Sequence, residues 1–307
     1  MTVPSVAVED FGVEAVAGDH SESVVARRRN WDWLGLLPFF AFLALFLVWP
    51  TITVFTQAFD SESGVSTSAF TEAITDQYQR AFVASLKLSL VTALLGAVIG
   101  VLLAYAAATL RRPKWLRSGI TAFSGVAANF GGIPLAFAFI AALGTQGLMT
   151  KILNSSGLNL QDQGFTIYSF WGLVIVYLYF QIPLMVLVTF PAIDGLKPAW
   201  REAASNLGAT PWGYWRRVGI PVLAPSILGG ILLLFANAFS AYATAYALTG
   251  GSSNLVTIQI QFFLQGNTIT GKGQLGYALA AWMIIIMGVS MTGYLLLRRR
   301  AERWRRA

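Results

Sequence analysis

One stretch of this sequence has the residue spacing of a phosphate-binding loop. Residues 266–273 read GNTITGKG, with two glycines and a lysine at the positions that such a loop requires. The last position should be Ser or Thr, whose hydroxyl group binds magnesium, but here it is Gly273. No buried strand precedes the segment, although the motif needs one. We therefore expect a polar loop here and not a nucleotide site.

Side chains for metal binding and acid–base catalysis are scarce. The chain has a single histidine, His20, and no cysteine. One histidine in a polar tail cannot build a zinc site, and without thiols there is neither a disulfide framework nor a thiolate site. A membrane-embedded enzyme would need acid–base or metal groups that converge near an interface. The sequence therefore predicts a chain that is not an enzyme and has no metal or cofactor of its own.

A charged, tryptophan-rich segment separates two apolar runs at residues 191–222. Its central part, residues 200–221, reads WREAASNLGATPWGYWRRVGIP. Residues 191–222 carry six charged side chains, and burying them at mid-bilayer would cost on the order of 15–20 kcal/mol on insertion scales. We therefore expect this segment to lie outside the membrane.

The turn residues of this segment predict a helix–turn–helix. Pro198 suits the first position of a helix, and Gly208 suits the left-handed position after its end. Thr210 and Pro211 suit the N-cap and first position of a second short helix. Gly219 and the nearby Pro221 predict where that helix ends.

Small residues line one face of the first predicted helix. Ala199, Ala203 and Leu207 share that face and Ala204 lies beside it, so the helix could approach a partner closely. The alternative is an amphipathic hairpin that lies in the membrane interface, anchored by Trp212 and Trp215.

The same residues resemble the EAA loop of binding-protein-dependent ABC importer permeases. That loop reads E-A-A, three residues, G, nine residues, then I-x-L-P. Here Glu202-Ala203-Ala204, Gly208 and Val218-Gly219-Ile220-Pro221 stand at those spacings, with Val and Ile in place of Ile and Leu. The chain as a whole is more similar to the polyamine, 2-aminoethylphosphonate and iron permeases than to the sugar permeases.

The resemblance implies a MetI-like fold in which residues 202–208 form a coupling helix seated in a cleft of a separate ATPase subunit. Glu202 would orient the loop, Ala203 and Ala204 would permit close approach, and Gly208 would make the turn. The coupling set is completed by Leu207 and Pro221. The implied partners are a pair of ATP-binding subunits that hold ATP and magnesium, a second identical or homologous permease subunit, and an extracytoplasmic solute-binding protein.

Polar residues within the apolar runs are the candidates for a solute pathway, because each needs a reason to be there. Residues 129–134, NFGGIP, also predict a local break in a helix. The alternative for any one of these side chains is hydrogen bonding between helices. The candidates are Asn129, Tyr179, Gln181, Asn237, Ser240, Thr244 and Tyr246, of which Asn237, Ser240 and Thr244 recur at helical spacing.

Six apolar runs must position these residues. The chain is 56% hydrophobic and only 11% charged, against about 25% charged residues in soluble domains. Each run reaches the 18–20 residues that a helix needs to cross roughly 30 Å of hydrocarbon, and lipid-exposed backbone favours helices over open strands. The sequence predicts an all-α polytopic membrane protein with six transmembrane helices, at Trp33–Phe55, Phe82–Leu110, Ile120–Leu143, Ile167–Phe190, Val222–Leu248 and Leu275–Leu297.

Basic residues predict the orientation. Most of the 21 Lys and Arg residues lie on the side that holds both termini and residues 191–222, which the positive-inside rule assigns to the cytoplasm. This placement accounts for the net charge of +7 without nucleic acid. We expect a disordered cytoplasmic tail at residues 1–32, a permease domain at residues 33–297 in the bacterial inner (cytoplasmic) membrane, and a basic cytoplasmic tail at residues 298–307.

The function predicted from these features is the transmembrane subunit of an ATP-driven, binding-protein-dependent importer. The resemblance favours a small polar solute such as spermidine, putrescine or 2-aminoethylphosphonate. The alternative is a self-contained secondary transporter or channel, although none of the six runs contains the carboxylate that such carriers usually bury. On the outer side, residues 255–261 alternate apolar and polar side chains, which predicts an extended segment.

Overall fold

The computed structural model describes residues 35–61, 64–110, 114–158, 162, 164–265 and 272–303. The predicted tail at residues 1–32, with His20, lies outside the described residues, as do residues 304–307 and residues 266–271 of the phosphate-loop-like stretch. The chain forms two compact units, Met1–Pro50 and Thr51–Ala307.

The described part of the first unit is helical and wholly apolar on its surface. Helix α1 spans Leu37–Leu43 and begins with a proline in its first turn, where the missing N–H has no partner to lose. A π-helical stretch, Ala44–Val48, continues it. None of these residues is buried.

The remaining elements follow in chain order. Two short antiparallel strands, β1 and β2, pair Asp60 with Val65. The elements are α2 (Trp49–Phe59), β1 (Asp60–Ser61), β2 (Gly64–Val65), α3 (Ser68–Glu72), α4 (Asp76–Thr109), α5 (Lys114–Asn129), α6 (Gly132–Leu143), α7 (Leu148–Ser155), α8 (Phe170–Asp194), α9 (Pro198–Asn206), α10 (Pro211–Tyr214), α11 (Ile220–Ser240), α12 (Ala243–Thr249), α13 (Val256–Leu264) and α14 (Gly273–Arg303).

Within the described residues, six helical stretches are long and apolar enough to cross a membrane. This finding confirms the all-α, six-span class predicted from the sequence. The candidate spans are Leu37–Phe59, Gln77–Thr109, Gly132–Ser155, Phe170–Asp194, Pro211–Ser240 and Gly273–Leu296.

The third span starts twelve residues later than the sequence predicted, at Gly132 in place of Ile120. The chain breaks between α5 and α6 at Phe130 and Gly131, within the predicted break at residues 129–134. Gly132 has a φ of +73°, a left-handed conformation that glycine adopts without the steric cost of a side chain. The break therefore separates α5 from the span that follows.

Helices α4, α8 and α11 form the centre of the second unit. Gly100 of α4 lies so close to α8 that a Cβ atom would stand 2.5 Å from Cβ of Met185. Small residues at such contacts let membrane helices approach closely, which maximises van der Waals packing. Met185 and Leu234 of α11 are fully buried in the same cluster.

The prediction of an extended segment at residues 255–261 was wrong, because the segment is helix α13. Ile258 and Phe262, one turn apart, pack into one apolar cluster. Val256 and Ile260, also one turn apart, pack into another. Because two sides of this helix are covered, its sequence shows apolar residues at every second position and mimics a strand.

The prediction that Gly219 and Pro221 end the second short helix was also wrong. Helix α10 continues through a π-helical stretch, Trp215–Gly219, directly into α11. Pro221 lies in the first turn of α11, where its missing N–H is tolerated. Gly219 leaves room for the Trp215 ring, whose Cε3 would clash with a Cβ atom there.

Candidate functional site

The first helix of the charged segment, α9, ends in a Schellman motif. Gly208 has a φ of +75°, and its N–H donates to the carbonyl of Ser205 at 2.9 Å. The N–H of Ala209 reaches back to the carbonyl of Ala204, also at 2.9 Å. These two bonds satisfy carbonyls that the helix end would leave unpaired. Gly208 therefore occupies the left-handed position predicted from the sequence.

The second helix starts with the cap that the sequence predicted. The Oγ1 atom of Thr210 accepts a hydrogen bond from the N–H of Gly213 at 3.1 Å, and Pro211 follows in the first turn. One residue, Ala209, separates the left-handed Gly208 from this cap. The turn between α9 and α10 is therefore fixed at both ends.

Helix α9 is exposed and is not packed among the spans. None of its residues is buried, and Ala199, Ala203 and Asn206 are all exposed on one side of it. Leu207 is 88% exposed and Trp212 is 69% exposed. These exposed side chains make the segment a candidate for contact with a partner. We call Ala199, Glu202, Ala203, Asn206 and Leu207 the α9 docking face.

An ion pair fixes the point where the segment leaves α8. The Arg117 guanidinium of α5 donates to Asp194, the last residue of α8, at 2.5 Å. The guanidinium carbon Cζ of Arg117 also lies 5.1 Å from the centre of the Phe190 ring. The sequence analysis did not identify Arg117 as part of the site, because the two residues are 77 positions apart and no local pattern joins them.

Aromatic contacts hold the second helix against α4. The Trp215 ring packs edge-to-face on Tyr105, with centroids 5.3 Å apart, and lies 5.8 Å from the Tyr214 ring. Because α10 continues into α11, the short helix is connected to the fifth span without a flexible joint.

The structure places two pathway candidates in buried contacts between helices. The side-chain amide of Gln181 on α8 donates to the carbonyl of Leu234 on α11 at 2.9 Å, while its Oε1 atom is buried without a partner. The Thr244 hydroxyl on α12 accepts from the N–H of Gly132 at 2.9 Å. Both side chains are hydrogen-bonded in the described conformation, in the manner of polar groups that join membrane helices.

The predicted stripe of Asn237, Ser240 and Thr244 does not form one helical face. Helix α11 ends at Ser240 and α12 begins at Ala243, so Thr244 belongs to a different helix from the other two. The hydroxyl group of Tyr177, which the sequence analysis did not select, donates to the half-buried carbonyl of Ala241 at 2.9 Å. No local pattern joins Tyr177 to this break, because the two residues are 64 positions apart.

The other pathway candidates lie near the two helix breaks. Asn129 is exposed at the end of α5, and its amide donates to Gly125 of the same helix at 2.9 Å. The Tyr179 ring packs edge-to-face against Phe139, with centroids 5.8 Å apart. Tyr246 is 41% exposed, and its ring stacks on Tyr242 at 5.2 Å.

A groove of about 830 Å³ between α4, α11 and α14 is apolar along most of its length. Its charged or polar side chains are Lys87, Ser290 and Tyr294, and the Tyr294 hydroxyl already donates to the carbonyl of Pro225. The groove fits hydrocarbon better than a polar solute.

The lysine of the phosphate-loop-like stretch forms an ion pair with a residue of α3. Lys272 Nζ donates to the Glu72 carboxylate at 2.8 Å, and this hydrogen bond, helped by the negative charge, raises the pKa of Lys272 above its usual value. Among the described residues, no group of three or more His, Cys, Asp or Glu side chains could hold a metal ion.

Comparison with known protein families places the charged segment inside a matched domain. A family model described as binding-protein-dependent transport system inner membrane component matches residues 96–306, more than half of the chain. The matched region contains the Arg117–Asp194 pair, α9 and the two helix breaks.

Several curated proteins are similar over part of their length. The thiamine transport system permease protein ThiP of Escherichia coli is 26% identical over 41% of this chain and 23% of its own length. The molybdenum transport system permease protein ModB of Mycobacterium tuberculosis is 24% identical over 53% of this chain and 57% of its own. A spermidine/putrescine permease PotC homologue of Mycoplasma genitalium is 27% identical over 42% of both chains. The chain thus matches less than two thirds of the length of these relatives.

A solved structure supports the fold. A chain of a bacterial ABC transporter involved in the import of the acidic polysaccharide alginate superposes with a TM-score of 0.66 at 20% identity. The match covers 89% of this chain and 96% of that chain. At this identity the likeness concerns the fold alone.

Proposed function

This chain belongs to the family of binding-protein-dependent transport system inner membrane components, and we propose that it forms the membrane pathway of an ATP-driven importer. In this function a separate ATPase subunit supplies the energy, and α9 is the element on which that subunit acts. The observation that carries the proposal is helix α9: its docking face is exposed, the turn that follows it is fixed by Gly208 and Thr210, and the chain continues into spans on both sides.

The proposed mechanism is mechanical. Closure of two ATP-binding subunits displaces α9, whose small residues Ala203 and Ala204 allow it to seat deeply in a cleft. Glu202 orients the helix there and Leu207 fills an apolar site. Because α10 runs through Pro221 into α11 without a break, the displacement moves the fifth span, while Asp194 and Arg117 transmit it to α8 and α5.

The helix breaks provide places where the spans can deform. Helices α6 and α12 each follow a break, and the Gly132–Thr244 hydrogen bond joins them. Irregular backbone at membrane depth occurs where it is buried in protein or lines a cavity. We assign the solute pathway to the surroundings of these breaks, with Asn129, Tyr179, Gln181, Asn237, Ser240, Thr244 and Tyr246 as contact residues in one or another conformation.

The proposed assembly lies in the bacterial inner membrane with both termini and α9 in the cytoplasm. It contains two ATP-binding subunits that bind ATP and magnesium, a second permease subunit, identical or homologous, and an extracytoplasmic solute-binding protein. The bias of basic residues towards the α9 side supports this orientation.

The proposed solute is small and polar, in first place a polyamine such as spermidine or putrescine, or else 2-aminoethylphosphonate. The similarity to the spermidine/putrescine permease homologue supports this choice. The rings of Tyr179 and Tyr246 could hold an ammonium group by cation–π attraction. A thermal-shift screen of the cognate binding protein tests this choice of solute. Polyamines or the phosphonate should stabilise that protein, whereas stabilisation by sulfate or molybdate alone would contradict the choice.

Uptake into liposomes tests the main proposal. The reconstituted complex should accumulate solute only with ATP and the ATPase subunit present. Ala203→Glu should abolish accumulation, because a charged side chain on the α9 docking face blocks close approach. Gln79→Glu, which adds the same charge at an exposed position near the start of α4, should leave uptake unchanged. Uptake by the chain alone, driven by an ion gradient, would instead establish a secondary transporter.

A further inference from the structure

A pocket of about 360 Å³ lies beneath α9, at the ends of two spans. Its walls come from the last turn of α4, the end of α8, the start of α9 and the second short helix. The residues that could recognise a ligand are Tyr105, Thr109, Asp194, Lys197, Arg201 and Tyr214. The mechanism proposed above uses the opposite side of α9 and leaves this pocket without a role.

The pocket is positively charged. Lys197 and Arg201 both line it, one helical turn apart on the side of α9 that faces the spans. Neither side chain forms an ion pair within the described part of the chain. The only carboxylate in the lining, that of Asp194, is already neutralised by Arg117. Two cations are thus directed at the same space without a protein anion to balance them.

A hydroxyl donor adds to these charges. The Tyr214 side chain is only 7% exposed, yet it lines the pocket, and its hydroxyl makes no hydrogen bond to any described residue. A phosphate oxygen accepts from hydroxyl, guanidinium and ammonium groups alike, and such charge-assisted bonds are the stronger kind. The donor set therefore suits a phosphate group.

The position of the pocket indicates where that phosphate comes from. Helices α4 and α8 span the membrane and end at Thr109 and Asp194, so the pocket lies at the level where hydrocarbon gives way to water. The edge-to-face pair of Tyr105 and Trp215 beside it is typical of the aromatic residues that mark this level. Basic pockets between membrane helices at this depth recognise anionic lipid headgroups.

We propose that this pocket binds the headgroup of an anionic phospholipid, with Lys197, Arg201 and Tyr214 around its phosphate. The headgroup would support α9 from the membrane side, while the α9 docking face stays free for a protein partner. Ala203 and Arg201 point to opposite sides of the helix, so both contacts fit at once. Membrane composition would then influence how firmly α9 is held.

The test is native mass spectrometry of the full-length chain, titrated in detergent with phosphatidylglycerol or phosphatidylcholine. The chain should retain phosphatidylglycerol in preference. The double variant K197Q/R201Q should lose at least about tenfold in retention, since each basic residue near an anionic headgroup contributes about fivefold. Lys197→Arg, which keeps the charge, should retain the lipid like the original chain.

A matched control separates a specific site from general attraction. R216Q/R217Q removes the same charge from exposed residues of the neighbouring π-helical stretch, outside the pocket lining, and should keep the preference for phosphatidylglycerol. Equal losses in both double variants, no loss in K197Q/R201Q, or no preference in the original chain would each overturn the proposal. The measurement involves no ATPase and no solute, so its failure would leave the proposed transport function standing.

Discussion

Gly208 has free space around its Cα atom, but its backbone has a left-handed conformation. No atom lies within 4 Å of where its Cβ would stand, so only the positive φ selects glycine there. The Schellman bonds depend on that φ, and the direction in which the chain leaves α9 depends on those bonds. The coupling turn is thus set by one backbone conformation.

Gly208→Ala should therefore cost about 1–2 kcal/mol locally, the penalty of a left-handed alanine. ATP-driven uptake should fall while the spans remain folded, because nothing packs against Gly208. Gly119→Ala is the matched control: Gly119 lies within α5 without a positive φ, and no atom lies within 4 Å of where its Cβ would stand, so it should tolerate alanine. Uptake and thermal unfolding of both variants check this, and equal uptake by both would argue against a strict requirement at Gly208.

Gln181 is a buried amide with half of its hydrogen-bonding capacity unused. The carbonyl of Leu234 that it contacts lies inside α11 and keeps its own helical bond. Gln181→Leu should therefore change stability by no more than about 1 kcal/mol, since it also removes the unpaired Oε1 atom. Gln181→Glu should destabilise the chain by several kcal/mol, because it buries a carboxylate without a partner.

The same pair of variants tests whether Gln181 contacts solute. If it does so in another conformation of the transport cycle, Gln181→Leu should fold normally yet transport poorly. Normal transport by a normally folded Gln181→Leu protein would remove Gln181 from the pathway. Thermal unfolding in detergent and uptake by proteoliposomes are the two measurements.

At the scale of elements, the paired helix breaks depend on side chains from neighbouring helices. At the start of α6, the N–H of Gly132 donates to the Thr244 hydroxyl of α12. At the end of α11, the carbonyl of Ala241 accepts from the Tyr177 hydroxyl of α8. Backbone groups that a helix break leaves unpaired need such partners wherever water does not reach them. The breaks are therefore stabilised by tertiary contacts and can change only when those contacts change.

Thr244→Val should leave the N–H of Gly132 unpaired and cost about 1–3 kcal/mol. Thr249→Val is the control, because the Thr249 hydroxyl donates within its own helix, to Ala245 at 2.8 Å, and its loss leaves no donor unpaired. Thermal unfolding should separate the two variants. A Thr244→Val protein as stable as the Thr249→Val protein would show that the bond does not hold the break.

The sequence predicted elements whose cause is local. Hydropathy revealed six spans because crossing a bilayer requires a long apolar run. Proline, glycine and threonine at fixed offsets placed the caps around α9 and the break before Gly132. These predictions succeeded because propensity and geometry act within a few residues.

Features that depend on tertiary contacts were not accessible in the same way. Helix α13 resembled a strand because apolar clusters cover two of its sides. The break after Ser240 has no proline, and the Tyr177 hydroxyl that satisfies it comes from 64 residues away. Gln181 and Thr244 were predicted as pathway residues, but nothing local revealed that each is also hydrogen-bonded to another helix.

At the scale of the whole molecule, the central claim is that the α9 docking face receives an ATPase subunit. The most direct measurement is the affinity of the purified chain for its cognate ATP-binding subunit, compared between the original chain, Ala203→Glu and Gln79→Glu. We predict tight binding by the original chain and by Gln79→Glu, and loss of binding by Ala203→Glu with an unchanged unfolding temperature. Undiminished binding by Ala203→Glu would contradict the claim.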